Sequence, residues 1–274
     1  MTVATLTEIL ALAEGRGAAV AGLVVLGWED ACAYAEAADE TGIPIILQAG
    51  PGCRKHTPIS VLGKMFRRLA EQARVPIACH IDHARTIEEC REGIDHGFTS
   101  VMIDGSSLQI EENIALTARV VALARRAGVS VEGEVGVVGY SGGAASAVTS
   151  PQDAAMFDRD SGADALAISV GNTHLMMQAT AKINRDALLA IETVTRLPLV
   201  LHGASGIPLD VRRNLAHTTR VRKFNLGTEL RRAFGASLRR ALESNPIAFD
   251  RIELLKATIP DLKHEAIKSI SPLW

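Results

Sequence analysis

The chain has 274 residues, 47% of them hydrophobic and 22% charged, which is enough apolar side chain for a sizeable core and too much for a disordered segment. Lys and Arg number 29 against 31 Asp and Glu, a net charge of −2, which excludes the basic surface that nucleic acid requires. Aromatics at 4% also leave few platforms on which bases could stack.

From the N-terminus, residues 1–17 carry Glu8, Glu14 and Arg16 and lack the basic start and apolar centre of a signal peptide. Beyond them, short runs rich in Val, Ile, Leu or Ala recur at 18–26, 44–48, 76–80, 99–103, 129–135, 163–170, 198–201 and 221–226. Each is strand-sized, and none approaches the roughly 18 apolar residues of a membrane span. Amphipathic stretches lie between them, at 28–41, 87–96, 110–127 and 185–195 among others, and 234–274 is helical in pattern. Gly42, Gly97, Gly128 and Gly162 stand where helix ends favour a left-handed residue. This alternation predicts an α/β fold, a (β/α)8 TIM barrel formed as one domain over 1–274, with a doubly wound open sheet as the alternative. The four cysteines form no C-x-x-C pair, so a reduced, cytoplasmic protein with buried thiols is expected.

Barrels place their chemistry at the C-terminal ends of the strands, and there the polar residues of this chain collect. His83, His174 and His202 end three runs, and three imidazoles with an open position form the ligand set of a catalytic zinc. Singly each histidine is better explained by packing; together, at equivalent barrel positions, they point to a metal. Asp82 is the natural acid/base beside them, unless it orients a neighbouring imidazole. Glu134 is a weaker metal candidate, equally suited to orienting a ligand or touching substrate. His80 lies deeper, behind the metal or simply packed, and Asp104 either caps a loop or reaches the site. After the last two runs, His202-Gly-Ala-Ser-Gly206 and Asn225-Leu-Gly-Thr228 offer glycine, hydroxyl and backbone N–H groups for phosphate: Gly203, Ser205, Asn225, Gly227 and Thr228. Arg54, Lys55 and His56 form a basic stretch that either grips a distal anion on the acceptor side or is merely solvated.

These residues resemble the zinc-dependent class II aldolases of the fructose-bisphosphate and tagatose-bisphosphate aldolase family. The matching stretches are His80-Ile-Asp-His83, Ser100-Val-Met-Ile-Asp-Gly-Ser106, Val131-Glu-Gly-Glu-Val-Gly136, Leu201-His-Gly-Ala-Ser-Gly206 and Lys223-Phe-Asn-Leu-Gly-Thr-Glu-Leu230, in order over most of the chain. The resemblance implies a homodimer or homotetramer binding dihydroxyacetone phosphate at Zn2+ or another divalent metal, with a monovalent cation in some relatives. It assigns His83, His174 and His202 to the metal and Asp82 to the aldehyde oxygen. The sugar phosphate would be held by Gly203, Ser205, Asn225, Gly227 and Thr228.

Several positions depart from the family pattern. Leu175 stands in Gly171-Asn-Thr-His-Leu175 where the family has glycine, Val24 where it has asparagine, and Gly50 or Ala49 where it has serine or threonine. The loop Gly139-Tyr-Ser-Gly-Gly-Ala-Ala145 lacks the family's proton-carrying glutamate, for which Tyr140, Ser141, Glu134 or a water are the substitutes. An epimerase, an aldolase for a non-standard sugar phosphate or sugar acid, and a non-catalytic sugar-phosphate binder are the alternatives to a standard ketose-bisphosphate aldolase.

Overall fold

The structure, a computed structural model, describes residues 2–274 except Ser141, Ala144 and Ala145. Its strands in chain order are β1 (Val3–Ala4), β2 (Val20–Val24), β3 (Ile45–Ala49), β4 (Ile77–Ala84), β5 (Ser100–Ile103), β6 (Ser130–Val135), β7 (Ala165–Ile168), β8 (Leu199–Leu201) and β9 (Val221–Leu226). From β2 to β9 each strand pairs in parallel with the next; β9 pairs with β2, and the short β1 adds to β4. That circuit is a closed eight-stranded (β/α)8 barrel, not an open sheet.

The helices form where the periodicity places them. Trp28–Thr41 and Ile110–Ala127 match the predicted bounds and end in left-handed Gly42 and Gly128, at φ 70 and 66, a backbone shape glycine adopts without strain. A continuous apolar layer joins the strands to this outer ring, including Leu23, Leu47, Ile81, Phe157 and Phe224. A separate cluster fills the barrel axis, where Val20, Ile46, Ala78, Met102 and Val200 meet Leu6, Ile9 and Leu10 of the helix Leu6–Arg16. That helix closes the N-terminal end of the barrel, so only the C-terminal end is left open. Ile259–Ile270 packs against Trp28–Thr41, completing the ring. No helix among the described residues is long and apolar enough to cross a membrane. The four cysteines are free thiols, three of them buried.

Candidate functional site

The open end of the barrel is shaped first by an irregularity in β4. Neighbouring strand residues point to opposite faces, so Asp82 and His83 would not normally share a site. Here the pairing of β4 with β5 slips between Ile81 and Ala84, and His83 takes φ 52. A non-glycine residue in that region costs on the order of 1 kcal/mol, and the slip turns both side chains into one cavity. The predicted run stopped at His80 because the strand continues through polar residues; the observed strand reaches Ala84.

The imidazoles of His83, His174 and His202 converge, with one ligand nitrogen from each within 4.8 Å of the others. His202 follows β8 and is fully buried; its Nε2 lies 2.9 Å from Glu132 Oε1, so that edge donates its proton and Nδ1 is left bare. His83 is fixed the opposite way round, with Nδ1 3.2 Å from Asp104 Oδ2 and Nε2 bare. Both bare nitrogens are buried and lack any hydrogen-bond partner, as does Glu134 Oε2. Unpaired buried polar atoms are costly, and a cation between them, taking the place of the His83 proton, removes the cost, so the residues present fit a divalent metal. His174 sits on the loop after β7. Its backbone N–H donates to Gly139 at 2.8 Å and its ring stacks on Tyr140, centroids 4.8 Å apart. Asn172 pins the loop by donating to the carbonyls of Ile168 and His202.

Charge in the site follows from burial. It pushes His174 down to about 4, helped by His83, which leaves a neutral imidazole at neutral pH. His83 would also fall by desolvation, but Asp82, Asp104 and Glu134 hold it at about 9. Burial lifts Glu134 to about 8. Burial would raise Asp82 too, yet the nearby charges, His83 first and Lys223 among them, keep its carboxyl below the usual range. Asp82 Oδ1 accepts from Asn225 Nδ2 at 3.1 Å. Asp104 does both jobs offered to it: Oδ1 accepts from the Ser106 backbone while Oδ2 holds His83.

Gly203, Ser205, Asn225, Gly227 and Thr228 line the same cavity as Asp82, His83 and His174. Gly203 is left-handed at φ 62, and a Cβ there would meet the Thr173 carbonyl at 2.3 Å. Ser205 Oγ accepts from the Gly227 amide at 3.1 Å, locking the loop after β8 to the start of the helix Thr228–Ser244. The N-terminus of this 17-residue helix opens on the cavity, where the positive end of its dipole favours an anion.

Arg54 and Lys55 are not brought to this cavity. Residues 51–56 form a short helix, Pro51–His56. The Arg54 guanidinium is buried, donating to the carbonyls of Ala49, Asp82 and His83 and pairing with Glu89 at 3.3 Å. It braces the slipped end of β4 from behind, and Lys55 is exposed outside the cavity lining. Ser141 falls outside the described residues. Glu134 lies between the metal candidates, 3.6 Å from both His83 Nδ1 and His202 Nδ1.

What the sequence did not reveal is the charged layer beneath. Lys223 Nζ lies 2.6 Å from Glu132 Oε2 and 3.3 Å from His80 Nε2, while His80 Nδ1 meets Ser100 Oγ at 2.8 Å. All four side chains are essentially inaccessible to solvent. The signal was there in alternation: Glu132 and Glu134 share one face of β6, and Lys223 and Asn225 one face of β9.

The sequence profile described as fructose-bisphosphate aldolase class-II matches residues 4–273. The chain belongs to this family. It is therefore a lyase of the class II aldolases, a metal-dependent family acting on sugar phosphates. Among relatives, the fructose-bisphosphate aldolase of Helicobacter pylori is 33% identical over 272 residues, covering 89% of each chain. The 6-phospho-5-dehydro-2-deoxy-D-gluconate aldolase of Bacillus licheniformis is 34% identical over 258 residues, covering 91% of this chain and 87% of the other. The YdjI aldolase from Escherichia coli K12 superposes with a TM-score of 0.85 at 28% identity, covering 99% and 97%. Two relatives of nearly equal identity thus carry different substrate names, and overall likeness to this aldolase family does not choose between them.

One feature of the aldolase barrel is open to direct test. A Cβ on Gly22 would sit 2.1 Å from Gln48 Oε1 and 2.9 Å from Asn225 Oδ1. Gly22→Ala is expected to displace Gln48 and to crowd the asparagine that holds Asp82, at a cost of about 1–3 kcal/mol. A lowered melting temperature together with lost turnover is the expected pair; an unchanged melting temperature would show that the site yields more easily than the packing allows.

Proposed function

We propose that this aldolase uses Zn2+ held by His83, His174 and His202, with Glu134 close enough to join or to balance charge, and that its donor is dihydroxyacetone phosphate. The observation that carries this is the convergence of the three imidazoles, two of them with orphaned nitrogens, beside the cavity where the ionised Asp82 and the start of the helix Thr228–Ser244 face one another. A divalent cation at these histidines supplies positive charge to a ketone oxygen on which negative charge develops.

The chain's own groups do the rest. The Thr228 helix start, with Gly203 and Ser205, holds the phosphate. Asn225 aims Asp82. In cleavage Asp82 takes the hydroxyl proton of the carbon that becomes the aldehyde as the adjacent C–C bond breaks, and the bonding pair moves toward the ketone as an enediolate. In synthesis the same proton returns to the aldehyde oxygen. The carbon that lost its partner then needs a proton, and Tyr140, on the loop after β6, is a protic side chain that lines the cavity. Burial and the nearby Asp104 raise its hydroxyl above the ordinary phenol range, so it stays protonated.

Metal-loaded protein in D2O is expected to exchange a carbon-bound hydrogen of dihydroxyacetone phosphate, and to stop when the metal is chelated. No exchange with metal bound would refute the donor assignment. Tyr140→Phe is expected to slow this exchange by about 10²-fold with little change in KM; an undiminished rate would remove Tyr140 from the proton path. Fructose 1,6-bisphosphate and tagatose 1,6-bisphosphate separate outcomes further, since triose phosphate marks cleavage and a new hexose isomer marks an epimerase. A homodimer or homotetramer, measured by sedimentation, completes the proposal.

A further inference from the structure

Three buried polar atoms without a partner belong to two side chains that meet inside the barrel: Oε1 and Nε2 of Gln48, and Oδ1 of Asn225. Gln48 is on β3 and Asn225 on β9, strands that do not pair with each other, because β2 runs between them. The two side chains reach each other only across Gly22, which β2 places in register with Asn225. A Cβ there would overlap Gln48 Oε1 and press on Asn225 Oδ1 at 2.9 Å, so the glycine leaves the space in which the two amides come together.

Gln48 has no exposed surface, and an amide buried with both ends unmatched is costly to keep. A leucine or methionine would fill the same space without that cost. As the amides lie, two carbonyl oxygens face one glycine and neither can donate. An amide turned end for end keeps its shape while exchanging oxygen for NH2. Turned in this way, Gln48 offers an N–H on the side of Asn225 Oδ1. Asn225 has the same choice of orientation. Its NH2 must face Asp82, since a carboxylate accepts and cannot donate, and a bond received at Oδ1 fixes that choice from the other side.

Resting on the role given above to Asp82, we infer that Gln48 is a positioning residue for the proton transfer at the aldehyde oxygen. Its Nε2–H donates to Asn225 Oδ1 and so holds the Asn225 NH2 against Asp82 Oδ1. Gln48 itself is absent from the lining of the catalytic cavity, and it acts through Asn225.

The test is Gln48→Met, with Gln48→Leu as a second variant; both are near glutamine in size and neither can donate. The first measurement needs no substrate. The side-chain amide of Asn225, followed by NMR in protein labelled with 15N-asparagine, is expected to shift and to exchange with water about tenfold faster in the variants, the worth of one hydrogen bond. The second compares two reactions of the metal-loaded enzyme. Cleavage of fructose 1,6-bisphosphate or tagatose 1,6-bisphosphate needs Asp82, whereas hydrogen exchange on dihydroxyacetone phosphate does not. In the variants kcat for cleavage is expected to fall by about 10²-fold with KM little changed, and exchange to stay near the level of the unsubstituted enzyme. Unchanged Asn225 signals overturn the inference. So does an equal loss of cleavage and exchange, which is what a merely structural role for Gln48 would produce. Absent exchange in the unsubstituted enzyme defeats the donor assignment instead, and the Asn225 signals still decide the bond to Gln48.

Discussion

His174→Ala is expected to lose the metal and the turnover together. Three imidazoles converge on one point, and removing one leaves two, short of a closed set for a divalent cation. Removing a group that merely orients a ligand costs about 10–100-fold in metal affinity, so losing a ligand outright should cost more. Turnover should fall on the order of a thousandfold or beyond. The fold should survive, because His174 lies on a loop and not in the barrel core. Metal analysis of the purified variant, with circular dichroism as the control for folding, decides the matter. Stoichiometric zinc and normal turnover in a folded variant would sink the ligand assignment.

Lys223→Met is expected to damage the protein in a different way. Its ammonium is fully buried against Glu132, and stripping one partner from a buried ion pair costs about 3–5 kcal/mol. The stranded Glu132 also fixes His202, whose Nε2 proton it accepts, so the metal should bind more weakly as the protein becomes less stable. Glu132→Gln should weaken the metal by about 10–100-fold. Combining the two substitutions removes both charges, and the double variant should be more stable than the sum of the single losses predicts. Denaturant unfolding of the four proteins gives the coupling. Strict additivity would mean that the pair contributes nothing as a pair.

Much of this molecule was legible in its residues. The eight apolar runs are the eight barrel strands, and the glycine after each of two long helices takes the left-handed form expected of it. The predicted phosphate, proton and metal residues gather in one place because strand ends of a closed barrel have nowhere else to point. Other features needed three dimensions. An apolar-run criterion stops at His80, since a strand that goes on through His-Ile-Asp-His contradicts its own hydrophobicity; the slip that lets Asp82 and His83 share a cavity is a matter of pairing with β5. Arg54 looked like an anion grip because sequence shows its charge and not the three carbonyls waiting for it. Glu132 and Lys223 lie far apart in the chain, and their contact depends on strands that meet only across the barrel.

The helix Leu6–Arg16 carries a consequence for how the chain assembles. Its seat is built by side chains from β2, β3, β4, β5, β7 and β8, and Thr7 bonds Ser130 at the start of β6. This helix, which precedes all eight barrel strands in the chain, therefore has no surface to settle on until most of the barrel exists. Closing so long a loop is entropically slow, and its reward arrives only at the end. This helix should dock last, acting as the latch that converts a nearly closed ring of strands into a committed native state.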